Sequence, residues 1–303
     1  MKLLALLIAL AALYYVPKSL FAQPKLFLKQ FFYSLDHYLN GGKSSHTLFI
    51  WLLGALLPAL LVGILSIYLH KLNVLIGLIF NILVLYATLD FSDFGVNPKK
   101  IADALTSNNI AEAQRIYQNS YVGGHQLESS SINELASASI AQFFKNAHYG
   151  LFALIFWFFV SGIAGVVLLS LSLILLKNIN ESNAYQEMSR KIIIVLDWLP
   201  SHLTATCFAV VGDFEDAVYC WRTQLQECTN KTLASMLASG AGALEVKLDL
   251  SLFSAENGIS QELGIGDLAD ADYLKSAVGL VWRSLILLLG SLFLLTFAYY
   301  LGS

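Results

Sequence analysis

Ile192-Ile-Ile-Val-Leu-Asp-Trp-Leu-Pro-Ser-His-Leu-Thr-Ala-Thr-Cys-Phe-Ala-Val-Val211 is an apolar stretch interrupted by Asp197, Pro200 and His202. As a helix it is long enough to meet a bilayer, whose hydrocarbon core is about 30 Å thick. In lipid, the backbone groups freed by Pro200 need partners, and a charged Asp197 needs a cation or water. Two readings follow. The segment is a buried or interfacial helix with Asp197 turned to water, or it lines a polar site inside a membrane protein. Whether it crosses the membrane is open at this level.

The rest of the chain fixes the class. Of 303 residues, 57% are hydrophobic and 13% charged, against about 45–50% and about 25% in soluble domains. With a mean hydropathy of +0.65, the chain is an integral membrane protein. Net charge is −3, and no basic run is present, which excludes nucleic acid as a partner and leaves the lipid bilayer. Cys207, Cys220 and Cys228 are odd in number and lack zinc spacing, so they read as unpaired thiols.

Leu3–Val16 follows a lone lysine and is short for a span. Cleavage after Ala22 would put Leu20 where a signal peptidase needs a small residue, so a retained N-terminal membrane helix is expected. Thr47–Tyr68 has no charge and reads as a span. Leu72–Leu89 follows at once, making a hairpin about His70 and Lys71. Leu151–Leu176 is read as one further span in which Gly162 and Gly165 permit a bend or close packing, and Ala277–Leu301 as the last. The run Phe156-Trp-Phe-Phe159 reads as a membrane belt or a packing surface.

Between spans, Asn97-Pro98 suggests a helix N-terminus, and Asn109 with Glu112 a second. Ser131 with Glu134 is a capping box opening a helix that runs past Asn146. Residues 119–131 and 178–190 read as loops. Residues 239–247 are a small-residue run without the lysine of a phosphate-binding loop. Lys18, Lys25, Lys29 and Lys43 place loop 17–46 in the cytoplasm, and Lys99, Lys100 and Arg115 on the same side. The fold class expected is all-α: a polytopic helical integral membrane protein with amphipathic and re-entrant helices. Residues 1–95 form an N-terminal helical part holding the hairpin 47–89, and residues 96–303 a helical membrane domain.

No nucleophilic triad or elbow is visible. His125, His148 and His202 lack metal-ligand spacing and read as solvated or hydrogen-bonded residues, so no metal site is expected and no cofactor is indicated. Asp197 and Arg283 are the charges set deepest in apolar sequence. They are candidates for a pair, with snorkelling of Arg283 to the interface as the alternative.

Two motifs carry a resemblance. Val195-Leu-Asp-Trp-Leu-Pro-Ser-His-Leu-Thr-Ala205, then Ala209-Val-Val-Gly212, is similar to a "Leu-Asn/Asp-Trp-Ile-Pro-Ala-Arg-Leu" helix of the CobD/CbiB group, with His202 where arginine is usual. Ala138-Ser-Ile-Ala-Gln-Phe-Phe-Lys-Asn146, then Gly150 and Ile155-Phe-Trp157, resembles a second, Glu-rich motif of that group. The small-residue run 239–247 and Leu280-Val-Trp-Arg283 fall where the group has comparable segments. The likeness covers residues 99–300 and is closer to the AmpE branch.

The resemblance implies a helical cavity around Asn146, Gly150, Asp197, Trp198, Pro200, His202 and Arg283. CobD/CbiB enzymes are adenosylcobinamide-phosphate synthases, which attach a side arm to a corrinoid. AmpE proteins are inner-membrane proteins linked to β-lactamase induction and peptidoglycan sensing. Where the synthases carry carboxylates, this chain has Ala141, Lys145 and Tyr149. Without acids to hold magnesium or act as a base, the resemblance points to a bacterial inner-membrane signalling or accessory protein without catalysis. Its ligand would be a cell-wall fragment, a nucleotide or nothing small. The alternative is a divergent corrinoid synthase.

Overall fold

The computed structural model describes residues 2–15, 44–89, 95–121, 131–178, 183–260 and 262–302. The four lysines of loop 17–46, His125 and most of the 119–131 loop lie outside them. Among the described residues, helices Leu48–Leu72, Ile132–Ser161, Met188–Val211 and Ala271–Tyr299 are long and apolar enough to cross a membrane. The protein is an all-α, polytopic membrane fold, and it divides into two compact units.

The first unit joins Met1–Ser92 to Ala153–Pro200. Its helices are α1 (Lys2–Tyr15), α2 (Ser44–Trp51), α3 (Leu57–Leu72), α4 (Val74–Thr88), α8 (Ala153–Ser161), α9 (Ile163–Asn178) and the first part of α10 (Asn183–Val211). A π-helical turn, Leu52–Leu56, links α2 to α3 just before Pro58. Proline lacks an N–H and its ring crowds the carbonyl four residues back, so the widened turn absorbs the misfit. The hairpin turn falls at Asn73, whose side chain accepts from Leu75 N at 2.8 Å, two residues beyond the expected His70-Lys71.

Ile50, Ala55, Ala59, Val167, Leu171 and Leu175 form the apolar centre of this unit. Trp51 Nε1 donates to Ser172 Oγ at 2.8 Å, and Ser66 Oγ to Asn81 Oδ1 at 2.8 Å. Such side-chain bonds hold helices together where lipid removes the hydrophobic drive between them.

The expected single span Leu151–Leu176 is corrected. At Gly162, φ is +69°, a left-handed conformation that ends α8. Gly165 then lies against Trp157, so α8 and α9 fold back on each other. Residues before the break belong to a different run, since Ile132–Ser161 is helical throughout. The expected loop 178–190 is also corrected, because α10 begins at Asn183.

The second unit joins Asp93–Phe152 to Ser201–Ser303. It contains α5 (Val96–Thr106), α6 (Ile110–Ser120), α7 (Ile132–Ala147), the π turn His148–Phe152, the remainder of α10, α11 (Phe214–Thr223) and α12 (Lys231–Ala243). Then come β1 (Val246–Asp249), α13 (Ser251–Asn257), β2 (Glu262–Leu263), β3 (Asp267–Leu268) and α14 (Ala271–Gly302). Gly95, at φ +87°, caps α5; Asn97 lies inside the helix, so the expected cap is two residues late. Asn109 caps α6 through Glu112 N, and the Ser131–Glu134 box is complete, with bonds of 2.9 and 3.2 Å.

The small sheet runs β2-β1-β3, antiparallel on one side (Leu248 opposite Leu263) and parallel on the other (Val246 opposite Asp267). It is tied to α7 where Asp249 N donates to Ser137 Oγ at 3.0 Å. Small residues let the helices of this unit approach closely. A Cβ on Gly212 or Gly242 would strike the backbone of Ala243 or Asp216.

Candidate functional site

Helix α7 with the π turn after it and helix α10 carry the candidate residues, apart from Arg283 on α14. On α7, Gln142, Lys145 and Asn146 share a half-buried face, continued by Tyr149 in the π turn, whereas Ala141 is buried. Gln142 Nε2 donates to Asn146 Oδ1 at 2.9 Å. Lys145 Nζ donates to Asn257 Oδ1 of α13 at 2.6 Å and stands 5.5 Å above the Phe253 ring. The π turn that follows inserts an extra residue per turn and so re-aims the side chains beyond it, a device common at functional sites. Gly150 is buried within it.

His148, in the same turn, has no solvent exposure, and its Nδ1 is 2.9 Å from Thr204 Oγ1 of α10. This is the hydrogen-bonded role expected of it. Phe144 and Phe152 pack on Phe208 of α10, with ring centroids 5.0 and 6.1 Å away. The π turn and the 201–211 part of α10 thus make one contact surface.

Helix α10 buries four polar side chains, Ser189, Asp197, Ser201 and Thr204, beside apolar ones, and exposes several large apolar residues. Its buried positions include Ser189, Ile193, Asp197, Pro200, Ser201, Thr204 and Phe208, close to one face at helical spacing. Its exposed positions include Val195, Trp198, Leu199 and Val210. Lipid accepts the exposed apolar residues, and buried polar side chains in such a segment need partners within the protein. Asp197 has no solvent exposure, so the reading that turns it to water is corrected. Trp198 is 59% exposed and points away from the buried face. His202 is half-buried, with its ring edge-on to Trp221 at 5.5 Å.

Arg283 is exposed on α14. Its Nε donates to Gly279 O at 3.4 Å and its Nη1 to Val211 O at 3.5 Å. Val211 is the last residue of α10, whose final carbonyls have no helical partner, and a cation there also favours the helix dipole. Arg283 therefore caps the C-terminal end of α10.

Three side-chain contacts to α10 were not anticipated from the sequence. Ser239 Oγ donates to Ala205 O at 2.7 Å, Ser284 Oγ to Cys207 O at 3.5 Å, and Trp157 Nε1 to Leu196 O at 3.2 Å. A signal existed for the last, because Pro200 leaves the Leu196 carbonyl without its helical donor. Cys207, Cys220 and Cys228 are buried and free, as expected. Among the described residues, no three His, Cys, Asp or Glu side chains gather as a metal site.

A family model described as "Regulatory signalling modulator protein AmpE" matches residues 11–244. "Cobalamin biosynthesis protein CobD" of Stutzerimonas stutzeri (strain A1501) is 30% identical over 270 residues, covering 84% of this chain and 87% of that protein. The protein of the same description from Chromobacterium violaceum is 31% identical over 118 residues, 38% of each chain. No solved structure matches. A helical membrane architecture, the Asp197-Trp198-Leu199-Pro200 helix and the match across most of the chain lead to one conclusion: the chain belongs to the AmpE family, related to the CobD/CbiB cobalamin-biosynthesis proteins.

Proposed function

We propose that this protein is a bacterial inner-membrane signalling or accessory protein of the AmpE type, tied to β-lactamase induction and peptidoglycan sensing, and that it acts without catalysis. The observation that supports this reading is the half-buried face of α7. At the positions where the resemblance places synthase carboxylates, it has a buried Ala141, a Lys145 engaged with Asn257 and Phe253, and Tyr149. Amide ligation driven by ATP needs its transferring phosphate neutralised, commonly by magnesium on carboxylates. An alanine, an ammonium and a phenol offer no hard anionic ligand at neutral pH. What the face does offer is amide donors and acceptors from Gln142 and Asn146 beside a cation. That chemistry suits a polar, anionic ligand such as a cell-wall fragment or a nucleotide.

The similarity to CobD over 84% of the chain favours a second reading, a divergent corrinoid synthase. Complementation separates the two. The chain is expressed in a bacterium lacking its corrinoid side-arm synthase, and cobalamin-dependent growth is scored with membrane insertion verified. No growth is expected. Growth would overturn the non-catalytic reading and show that the reaction proceeds without the usual acids.

A further inference from the structure

Helix α10 runs unbroken through Pro200. The missing N–H of Pro200 leaves the Leu196 carbonyl without its helical donor, in a segment apolar enough to lie in lipid, where water cannot supply one. Trp157 Nε1 takes that place at 3.2 Å. The indole is held from behind by the α8–α9 fold-back. A Cβ on Gly165 of α9 would come within 3.1 Å of both Trp157 Cε3 and the Trp157 carbonyl, so glycine makes the slot in which the ring sits. Ser161 Oγ donates to the same carbonyl at 3.2 Å. Asp197 lies directly after Leu196, inside the turn that Pro200 weakens, and it is fully buried.

We propose that Trp157 is a latch: its indole N–H replaces the backbone bond that Pro200 removes, holds the Leu196–Pro200 turn of α10 closed, and on release loosens that turn and the seat of Asp197. One side-chain bond does work that elsewhere in the helix belongs to the backbone. It comes from a different helix, so a displacement of α8, or a ligand acceptor that draws the indole N–H away, reaches Asp197 through it. The device stands independently of whether the protein signals or catalyses.

The test is a double-mutant cycle on the full chain in lipid nanodiscs, read by amide hydrogen exchange of the peptide spanning 197–204. Trp157→Phe should raise exchange there about three- to fivefold, the effect of one interhelical hydrogen bond in a membrane protein. In a Pro200→Ala background the same change should have less than about a twofold effect, because residue 200 then supplies the Leu196 carbonyl with its own N–H. Equal rises in both backgrounds, or no rise with Pro200 present, would overturn the latch. Should Trp157→Phe fail to fold, benzothienylalanine at position 157 keeps the ring size and replaces the N–H by sulfur. The same three- to fivefold rise is expected from it, and exchange unchanged from the wild type would overturn the proposal.

Discussion

Replacing Gly240 by alanine places a methyl group 2.6 Å from Cε2 and 3.0 Å from Cδ2 of Phe144, and 3.1 Å from Cδ2 of Phe208. Carbon atoms rest at about 3.5–4.0 Å, so the Phe144 ring would have to retreat by close to 1 Å. Phe144 and Phe208 have no solvent exposure, their ring centroids lie 5.0 Å apart, and Phe152 packs edge-on to Phe208 at 6.1 Å. Overpacking of this kind costs about 1–3 kcal/mol. Alanine in place of glycine inside α12 returns about 1 kcal/mol of helix propensity, so Gly240→Ala alone should lose up to about 2 kcal/mol. The cleaner quantity is the coupling. With Phe144→Leu, which shortens the ring side of the contact, the alanine should become neutral or stabilising, giving a coupling of about 1–3 kcal/mol. Reversible unfolding in mixed micelles, followed by circular dichroism on the four proteins of the cycle, measures it. An equal cost for Gly240→Ala with and without Phe144 would refute the reasoning, because the glycine would then not be required by that ring.

Two further outcomes follow from local features. Ser131→Ala removes the acceptor of Glu134 N and half of the capping box; it should cost about 1 kcal/mol, while Glu134→Gln, which keeps the geometry and loses only the charge at the helix N-terminus, should cost less. The same unfolding assay checks both, and equal losses would count against the box. Burial, and then the Asp216 carboxylate, push the Cys220 thiol from 9.0 up to about 11. The folded state thus retains a proton that the unfolded chain releases first, so this contribution is intact below about pH 9 and is lost as pH rises from about 9 to about 11. Stability of wild type minus Cys220→Ala, followed across that range, should fall with pH; a flat difference would show that the thiol is not held protonated by the fold.

Much of the fold was legible because it is written locally. Run length and scarcity of charge mark Thr47–Tyr68 and Ala277–Leu301 as spans, and the helices Leu48–Leu72 and Ala271–Tyr299 are long and apolar enough to cross a membrane. The Ser131 and Asn109 caps are hydrogen bonds across three residues, so spacing alone reveals them. The small sheet was missed, although Val246-Lys-Leu-Asp249 alternates apolar and polar residues as a strand does. Four residues are too short a pattern, and the partners Leu263 and Asp267 lie beyond an intervening helix. The break at Gly162 was foreseen as a bend and became a reversal, because composition does not distinguish a kinked helix from a hairpin when both sides are apolar.

In the candidate site, sequence picked out Asp197 and Pro200 by their cost in an apolar run, and burial on one face of α10 agrees with that concern. For Arg283 the sequence offered pairing or snorkelling, and the structure shows its guanidinium on the last carbonyl of α10, a contact 72 residues apart that no local pattern records.

By itself, the sequence determined that this is a helical membrane protein, where the first hairpin and the last apolar helix run, how several helices begin, and which family motifs they carry, since each depends on side chains a few residues apart. The tertiary structure decided the rest: that Met1–Ser92 folds with Ala153–Pro200, that Arg283 meets the last carbonyl of α10, and that the indole of Trp157 answers the carbonyl Pro200 set free. Those contacts join residues dozens of positions apart, and in lipid they depend on shape and hydrogen-bond partners that neither composition nor periodicity records.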